Sequence, residues 1–341
     1  MRAVVYYNNT DVRVEEVERP GISDGEMLVK VMASGICGSD VMEWYRIRKA
    51  PLVLGHEVAG IVEEVGKGVT RFSPGDRVTA AHHVPCNTCR YCLRGAHSVC
   101  DLLRTTNFFP GGFAEYVRVP AINVDRGVVR LPDSLSFEEG SFSEPLGCVV
   151  RGQRAARMEP GKSILVIGSG ISGLLHIKLA KAMGAGRIIA TDINDYRLDA
   201  AKRFGADFII KAHEDVPNIV RGFLGSGADV VILCAASDAA VTQGLRSVDR
   251  AGTVLFFALK EPGQTYPLPV FDLWRDNVTI VNSYASPPYD TGIALDLMES
   301  KRVTVTDMIT HRLSLEEAHT GFTLTAQAKE SIKVIMEPHK R

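Results

Sequence analysis

Four of the seven cysteines lie close together in the chain, and their spacing predicts a metal site. They follow the pattern C-x2-C-x2-C-x7-C and are Cys86, Cys89, Cys92 and Cys100. Four thiolates on one short loop suit a tetrahedral Zn2+ ion, and a site with four sulfur ligands leaves no position for a substrate. We therefore expect a structural zinc site. The alternatives are an iron–sulfur cluster, four unrelated buried thiols, or a zinc module that binds nucleic acid or protein.

A second set of potential ligands is spread along the first half of the chain. Cys37 begins a Cys-Gly-Ser-Asp sequence that ends at Asp40, His56 is followed directly by Glu57, and Glu144 precedes a proline. One thiolate, one imidazole and one or two carboxylates suit a zinc ion that keeps a position open, where it acts as a Lewis acid on an alcohol oxygen. The Asp40 carboxylate is placed to orient the other ring nitrogen of His56. Each residue taken singly has a structural alternative, and only the combination indicates a catalytic metal site.

A glycine-rich turn provides the third chemical feature. It has the pattern G-x-G-x-x-G, and its candidate cofactor-binding residues are Gly168, Ser169, Gly170, Ile171 and Gly173. Because an apolar strand precedes the turn and a helix follows it, the pattern predicts a dinucleotide diphosphate on the helix N-terminus. Asp192 comes 19 residues after the last glycine, where a carboxylate accepts the ribose 2′-hydroxyl of NAD and repels the 2′-phosphate of NADP. Arg197 is a further cofactor candidate, with a solvated helix charge as the alternative.

These residues must be positioned by two kinds of element. Residues 1 to about 130 have short Val-rich runs separated by Gly and Pro, which predict an irregular β-rich domain. From Pro160 strands and helices alternate, which predicts an α/β fold with a doubly wound parallel sheet. After residue 286 the pattern becomes irregular again. We therefore expect a β-rich domain in residues 1–148, a nucleotide-binding domain in 149–286, and a segment in 287–341 that returns to complete the first domain.

The boundaries predicted for individual elements follow the apolar runs. The predicted strands are Ala3–Tyr7, Met27–Met32, Val58–Val65, Arg77–Ala80, Ala114–Val119, Ser163–Ile167, Ile188–Thr191, Asp207–Ile210, Asp229–Cys234, Thr253–Phe257 and Ser331–Met336, with one more around His311. The predicted helices are Leu174–Met183, Tyr196–Phe204, Ala239–Val248, one near Thr291–Ser300 and one from Leu315.

Composition excludes several classes of protein. The chain has 341 residues with 39 Lys plus Arg against 40 Asp plus Glu, so it lacks the basic excess of a nucleic-acid-binding protein. No apolar run reaches the roughly 18 residues of a membrane span, and the N-terminus has no apolar signal-peptide core. An odd cysteine count argues against a disulfide framework. We expect a cytoplasmic enzyme with no nucleic-acid or membrane partner.

Taken together, these motifs resemble the zinc-containing medium-chain alcohol dehydrogenases. The sequence from Gly55 to Val69 fits that family's catalytic-zinc signature, and the order of all the motifs matches along essentially the whole chain. The resemblance implies a GroES-like catalytic domain and a Rossmann domain, with NAD and two zinc ions as cofactors. It implies zinc ligands at Cys37 and His56, with Glu57 and Glu144 completing the shell or exchanging with water. It also implies that Ser39 takes the substrate proton and that Lys333 lies near Asp40 and the cofactor phosphate.

Within the family, the motifs look like the polyol and threonine dehydrogenase branch, which is commonly tetrameric, and we expect a homo-oligomer, either a tetramer or a dimer. Two departures affect the substrate. Met42 stands where many relatives carry His, so proton release must take another route, and residues 283–285 lack the Arg of polyol enzymes. Candidate substrate residues are Glu43, Tyr45, His83 and Tyr284.

Three functional hypotheses follow. The first is NAD-linked oxidation of a secondary alcohol, such as a polyol, sugar alcohol or cyclitol, to a ketone. The second, suggested by His83 at a position where threonine dehydrogenases carry a substrate-pocket His, is oxidation of the β-hydroxyl of threonine or another amino alcohol. The third is a non-catalytic protein that binds NAD and zinc, which the complete Cys, His, Glu and Ser set disfavours because a pure binder needs no open metal site.

Overall fold

The computed structural model describes residues 1–340, and the chain divides into two compact units. One unit contains residues 1–147 together with the C-terminal segment from Ala285, and the other contains Cys148–Tyr284. No helix among the described residues is long and apolar enough to cross a membrane.

The first unit begins with a β-rich segment. Its strands are β1 Arg2–Asn8, β2 Asp11–Glu16, β3 Met27–Gly35, β4 Leu52–Val53, β5 Glu57–Val65, β6 Arg77–Ala80, β7 Tyr116–Val119 and β8 Val128–Arg130. Its helices are α1 Glu43–Arg46, α2 Asp101–Thr105, α3 Ala121–Arg126, α4 Phe137–Ser141 and α5 Ser143–Ala155, the last of which continues into the second unit. Short 3-10 helices span Gly38–Val41, Ile47–Lys49, Cys92–Arg94 and His97–Val99.

The second unit is an alternating α/β domain. Its strands are β9 Ser163–Ile167, β10 Arg187–Asp192, β11 Phe208–Lys211, β12 Ala228–Leu233, β13 Val248–Phe256 and β14 Thr279–Asn282. Its helices are α6 Ile171–Ala182, α7 Asp195–Phe204, α8 Val216–Leu224, α9 Asp238–Ser247 and α10 Val270–Arg275. The strands pair in parallel in the order β11-β10-β9-β12-β13-β14. This is the doubly wound arrangement, in which the order reverses beside the first strand.

The C-terminal segment completes the first unit. It contains α11 Pro288–Glu299, β15 Ile309–Leu313, α12 Ala318–Gln327 and β16 Lys333–Met336, with 3-10 helices at Thr306–Met308 and Leu315–Glu317. Strand β16 pairs antiparallel with the end of β3, and the larger sheet runs β15-β16-β3-β5-β6-β8, with β7 on the other part of β3. A smaller sheet has the order β2-β1-β4.

The pairing of β3 with β5 brings the two halves of the second ligand set together. Gly35, at the end of β3, lies opposite Glu57, at the start of β5. A methyl group on Gly35 would collide with the Glu57 carboxylate and would lie 2.8 Å from the Lys333 amine. Glycine is therefore required there by close packing, and the chain turns directly after it into the 3-10 helix that follows Cys37.

Candidate functional site

Cys37, His56 and Glu57 form one compact group of potential metal ligands. Their ligand atoms all lie within 4.8 Å of one another. Glu57 is 1% exposed and the His56 side chain 12% exposed. Thiolate, imidazole and carboxylate are the donors that Zn2+ takes in sites with three protein ligands. The residues therefore fit the open zinc site that the sequence predicts.

Asp40 supports this group from the 3-10 helix. Its fully buried carboxylate accepts a hydrogen bond from the Cys37 backbone N–H at 3.0 Å and lies 3.5 Å from His56 Nδ1. Burial opposes both charges, yet the pKa of Asp40 is lowered by His56 and Arg46, and the pKa of His56 is raised well above its usual value by Asp40 and Cys37. Because Asp40 faces Nδ1, the opposite nitrogen of His56 is left for a metal.

Glu57 has a buried cation as its partner. Lys333 Nζ forms an ion pair with the Glu57 carboxylate and donates a hydrogen bond to the Ile36 carbonyl at 3.1 Å. Both side chains are 1% exposed. Because β16 adds to the sheet beside the end of β3, the amine of Lys333 lies on a potential zinc ligand. The expected proximity of Lys333 to Asp40 and the cofactor phosphate stays a prediction.

Ser39 lies two residues after Cys37, and an arginine holds it. Its backbone N–H donates to Cys37 Sγ at 3.4 Å, and its hydroxyl accepts from Arg46 Nη2 at 2.9 Å. Arg46 lies in a basic Arg-Ile-Arg-Lys run without a motif spacing, so no local pattern marks it as a functional residue. Only the fold of the segment after Ser39 reveals the contact.

His83 is the candidate substrate residue that ring contacts link to the compact ligand group. The ring of His82, which the sequence analysis also misses, lies between those of His56 and His83, at centroid distances of 4.8 and 3.8 Å. Burial lowers the pKa of His82 well below its usual value and that of His83 to about 4. In the sequence, the only local indication of His82 is that it stands next to His83.

Glu43 is exposed, and its carboxylate accepts a hydrogen bond from the Asn9 backbone N–H.

Of the remaining candidates, two are exposed and one is buried. Tyr45 is 40% exposed in α1, and Tyr284, the last residue of the second unit, is 50% exposed. Glu144 is buried in α5, and among the described residues the compact ligand group does not include it.

The four clustered cysteines converge on one point. All four sulfur atoms lie within 4.8 Å of one another, none forms a disulfide, and Cys86 Sγ is 3.9 Å from Cys92 Sγ. With zinc–sulfur bonds of about 2.3 Å, the sulfur–sulfur edge of a tetrahedral site is about 3.8 Å. Hydrogen bonds from Thr88 and from the Cys89 backbone N–H lower the pKa of Cys86 to about 5, whereas burial and the neighbouring thiols raise the pKa of Cys92 to about 12. This geometry fits a structural zinc site.

The glycine-rich turn has the shape that a diphosphate needs. Gly168 has φ +92°, and a methyl group on Gly173 would overlap the Gly168 carbonyl, so helix α6 packs tightly on β9. A methyl group on Gly170 would have the Arg197 guanidinium as its nearest neighbour, 3.7 Å away. Filling this space with a side chain would therefore obstruct the approach of a phosphate to the backbone and to the start of α6.

Asp192 is fixed at the end of β10. Its carboxylate oxygens accept hydrogen bonds from the backbone N–H groups of Ser169, at 2.7 Å, and Asn194, at 2.9 Å. The side chain is 6% exposed. These bonds keep a negative charge beside the glycine-rich turn, where it fits a ribose diol and disfavours a 2′-phosphate.

Comparison with known proteins finds two dehydrogenase domains in this chain. The alcohol dehydrogenase GroES-like domain matches residues 23–133, and the zinc-binding dehydrogenase domain matches residues 172–300. The chain is 37% identical to L-threonine 3-dehydrogenase of Bacillus velezensis, over 99% of both chains. It is 33% identical to sorbitol dehydrogenase of Bacillus subtilis, over 100% of this chain and 98% of the relative.

Among solved structures, alcohol dehydrogenase TADH from Thermus sp. ATN1 superposes with a TM-score of 0.89 at 32% identity, covering 99% of each chain. The chain belongs to the zinc-containing medium-chain alcohol dehydrogenase family. It combines a GroES-like domain with a Rossmann-type parallel sheet, as the sequence predicts, and it is an oxidoreductase of the dehydrogenase class.

Proposed function

We propose that this dehydrogenase oxidises a secondary alcohol of a polyol-type substrate to a ketone and passes the hydride to NAD. The observation that carries the proposal is the convergence of the Cys37, His56 and Glu57 ligand atoms within 4.8 Å. When bound by these residues, zinc supplies Lewis-acid polarisation of the alcohol oxygen. The similarity to sorbitol dehydrogenase supports the substrate class.

The chain's own residues account for the remaining steps. The Ser39 hydroxyl accepts the proton of the substrate alcohol, and Asp40 holds His56 in the orientation that leaves one ring nitrogen for the metal. The glycine-rich turn and the N-terminus of α6 bind the cofactor diphosphate. The Asp192 carboxylate accepts the ribose hydroxyls of NAD, and the Arg197 guanidinium lies against the same turn. The preference for NAD over NADP therefore depends on the negative charge of Asp192.

A second candidate function is oxidation of the β-hydroxyl of threonine or a similar amino alcohol. The His83 ring packs against the His82 ring at a tilt of 38°, and the His82 ring lies beside that of His56. This geometry supports a substrate-binding imidazole near the ligand group. The similarity to L-threonine 3-dehydrogenase favours the same candidate.

A screen of NAD reduction over polyols, cyclitols, sugar acids and threonine tests these alternatives. Turnover of polyols without turnover of threonine would support the first candidate, and the reverse would support the second. The Cys37→Ser variant should lose activity together with one zinc ion, whereas Cys148→Ser, which lies outside both ligand groups, should keep both. NAD-linked turnover that survives Cys37→Ser unchanged would refute the proposal.

A homo-oligomeric assembly and a cytoplasmic location belong to the same proposal. Helix α10 exposes Val270, Phe271 and Trp274 by 68%, 67% and 74%, which supports association through this helix. Light scattering on the purified protein measures the assembly, and a monomer at micromolar concentration would contradict it.

A further inference from the structure

We propose that Arg46 is a positioning residue that fixes the Ser39 hydroxyl for proton transfer. The inference rests on the proposed function, because it assigns a partner to the residue that takes the substrate proton. It also addresses how the proton leaves, because Met42, three residues after Ser39, has a thioether side chain that cannot carry a proton onward.

The guanidinium of Arg46 holds Ser39 through two separate hydrogen bonds. Nε donates to the Ser39 carbonyl at 2.9 Å, and Nη2 donates to Ser39 Oγ at 2.9 Å. Nη2 also lies 3.1 Å from Asp40 Oδ1. Because the guanidinium is planar and rigid, these contacts fix the main chain and the side-chain rotamer of Ser39 together.

The guanidinium of Arg46 is itself held by its neighbours. Arg46 is the last residue of α1, its side chain is only 14% exposed, and its guanidinium carbon lies 4.6 Å from the centre of the Tyr45 ring. Asp40, which accepts from the same Nη2, is fully buried. A buried carboxylate and an aromatic face therefore hold the guanidinium in place before any substrate binds.

Arginine restricts the possible proton route. A guanidinium only donates hydrogen bonds and keeps its proton at any ordinary pH. Ser39 Oγ therefore uses one lone pair for Arg46 and has one left for the alcohol. As the alcohol proton forms a bond to Ser39 Oγ, the serine's own O–H bond breaks and its proton passes to water. The electron pair of each broken O–H bond stays on its oxygen, so Oγ is neutral again once both protons have moved and the negative charge develops on the alcohol oxygen. The cation of Arg46 favours this charge from its place beside Oγ.

A purely structural role makes different predictions. If Arg46 only neutralised Asp40 or held α1 in place, a lysine would retain much of its effect, and the effect would be independent of the Ser39 hydroxyl. The discriminating measurements are therefore a conservative substitution and a double-mutant cycle between the two residues.

The test uses the zinc-loaded enzyme with NAD and the best alcohol from the substrate screen. We expect Arg46→Met to lower kcat by roughly tenfold or more, a part of the 10²- to 10⁴-fold contribution typical of positioned proton transfer. KM should change much less, and the solvent deuterium isotope effect on kcat should increase. Arg46→Lys should not restore kcat, because one ammonium cannot hold both Ser39 oxygens. In a Ser39→Ala background, Arg46→Met should cause no further loss.

Controls separate failure of this inference from failure of the proposed function. Arg48→Met, an exposed basic residue two positions along, should behave as the wild type. Losses that multiply fully in the Ser39→Ala/Arg46→Met double variant, or wild-type kcat in Arg46→Lys, would overturn the role of Arg46 alone. If Arg46→Met does not fold, the lysine variant decides. Wild-type kcat in Ser39→Ala would refute the proton route of the proposed function as well.

Discussion

The buried ion pair between Lys333 and Glu57 makes a quantitative prediction. Both side chains are 1% exposed, so replacing Lys333 by Met leaves a buried carboxylate without its cation. Breaking a buried pair in this way costs about 3–5 kcal/mol of unfolding free energy. At about 2–4 °C per kcal/mol for a unit of this size, the melting temperature should fall by roughly 6–20 °C. Differential scanning calorimetry of the zinc-free protein measures this change.

The loss of stability caused by Lys333→Met should depend on whether Glu57 carries a charge. In the double variant Lys333→Met/Glu57→Gln no unpaired charge remains, so it should be more stable than Lys333→Met alone. A zinc ion bound beside Glu57 restores part of the missing positive charge, and the loss should therefore be smaller in the zinc-loaded protein. Lys340→Met is the control, because its pair with Glu337 lies at the surface, with the Lys340 side chain 41% exposed.

Two outcomes of these measurements would contradict the reasoning. If Lys333→Met lowered stability no more than Lys340→Met, Glu57 would not depend on this cation. If zinc made no difference to the loss, Glu57 would not take part in the metal site.

Three further predictions concern other parts of the chain. Burial lowers the pKa of His176 to about 3, so below about pH 6.5 the unfolded chain binds a proton that the folded chain does not. This residue should therefore lower the free energy of unfolding by about 1.4 kcal/mol per pH unit as the pH falls from about 6 to 4. In urea unfolding, the pH slope of His176→Gln should be smaller by that amount, and the slope that remains comes from other groups such as His82 and His83; an unchanged slope would contradict the assignment. Gly173→Ala should weaken NAD binding in calorimetric titration because its methyl group overlaps the Gly168 carbonyl, while Gly222→Ala, with open space around it, should bind normally. Cys92→Ser should remove one of two zinc ions by elemental analysis, and retention of both would exclude the four-cysteine site.

The alternating α/β elements could be predicted closely from the sequence. Strand β9 has the predicted bounds Ser163–Ile167, because a continuous apolar run between a turn and a glycine leaves little choice of register. Strand β6 likewise has the predicted bounds Arg77–Ala80. The C-terminal strand begins at Lys333 and not at Ser331, since pairing with β15 and β3 determines where its hydrogen bonds start.

Elements with weaker local signals are missing from the sequence analysis. Strand β2, Asp11–Glu16, carries four charged residues and is stabilised by its antiparallel partner β1. Helix α8, Val216–Leu224, begins at an Asp215 cap with a proline in its first turn, which is a local signal for the start of a helix.

The contacts that build the candidate site are likewise of two kinds: some join residues close in the sequence, and others join residues far apart in it. Cys37 with Asp40, and His56 with Glu57, are recognisable because each pair lies within a few residues and has a motif spacing. Their convergence on one point depends on the β3–β5 register, which no local pattern contains. The sequence motifs therefore identify the donors, whereas the groups that neutralise them come from the tertiary structure.

The charge balance around the ligand group explains how such a site can form before a metal binds. The buried carboxylate within the group and the one beside it each have a cationic partner: Glu57 faces Lys333, and Asp40 faces Arg46 as well as the ring of His56. Uncompensated, either carboxylate would oppose folding, because a buried charge without a partner is costly. Since the cations come from α1 and from the returning strand β16, the donor group requires both flanking segments to be folded. If the proposed function holds, metal affinity and proton transfer at this site should therefore depend on Arg46 and Lys333, which no zinc motif includes.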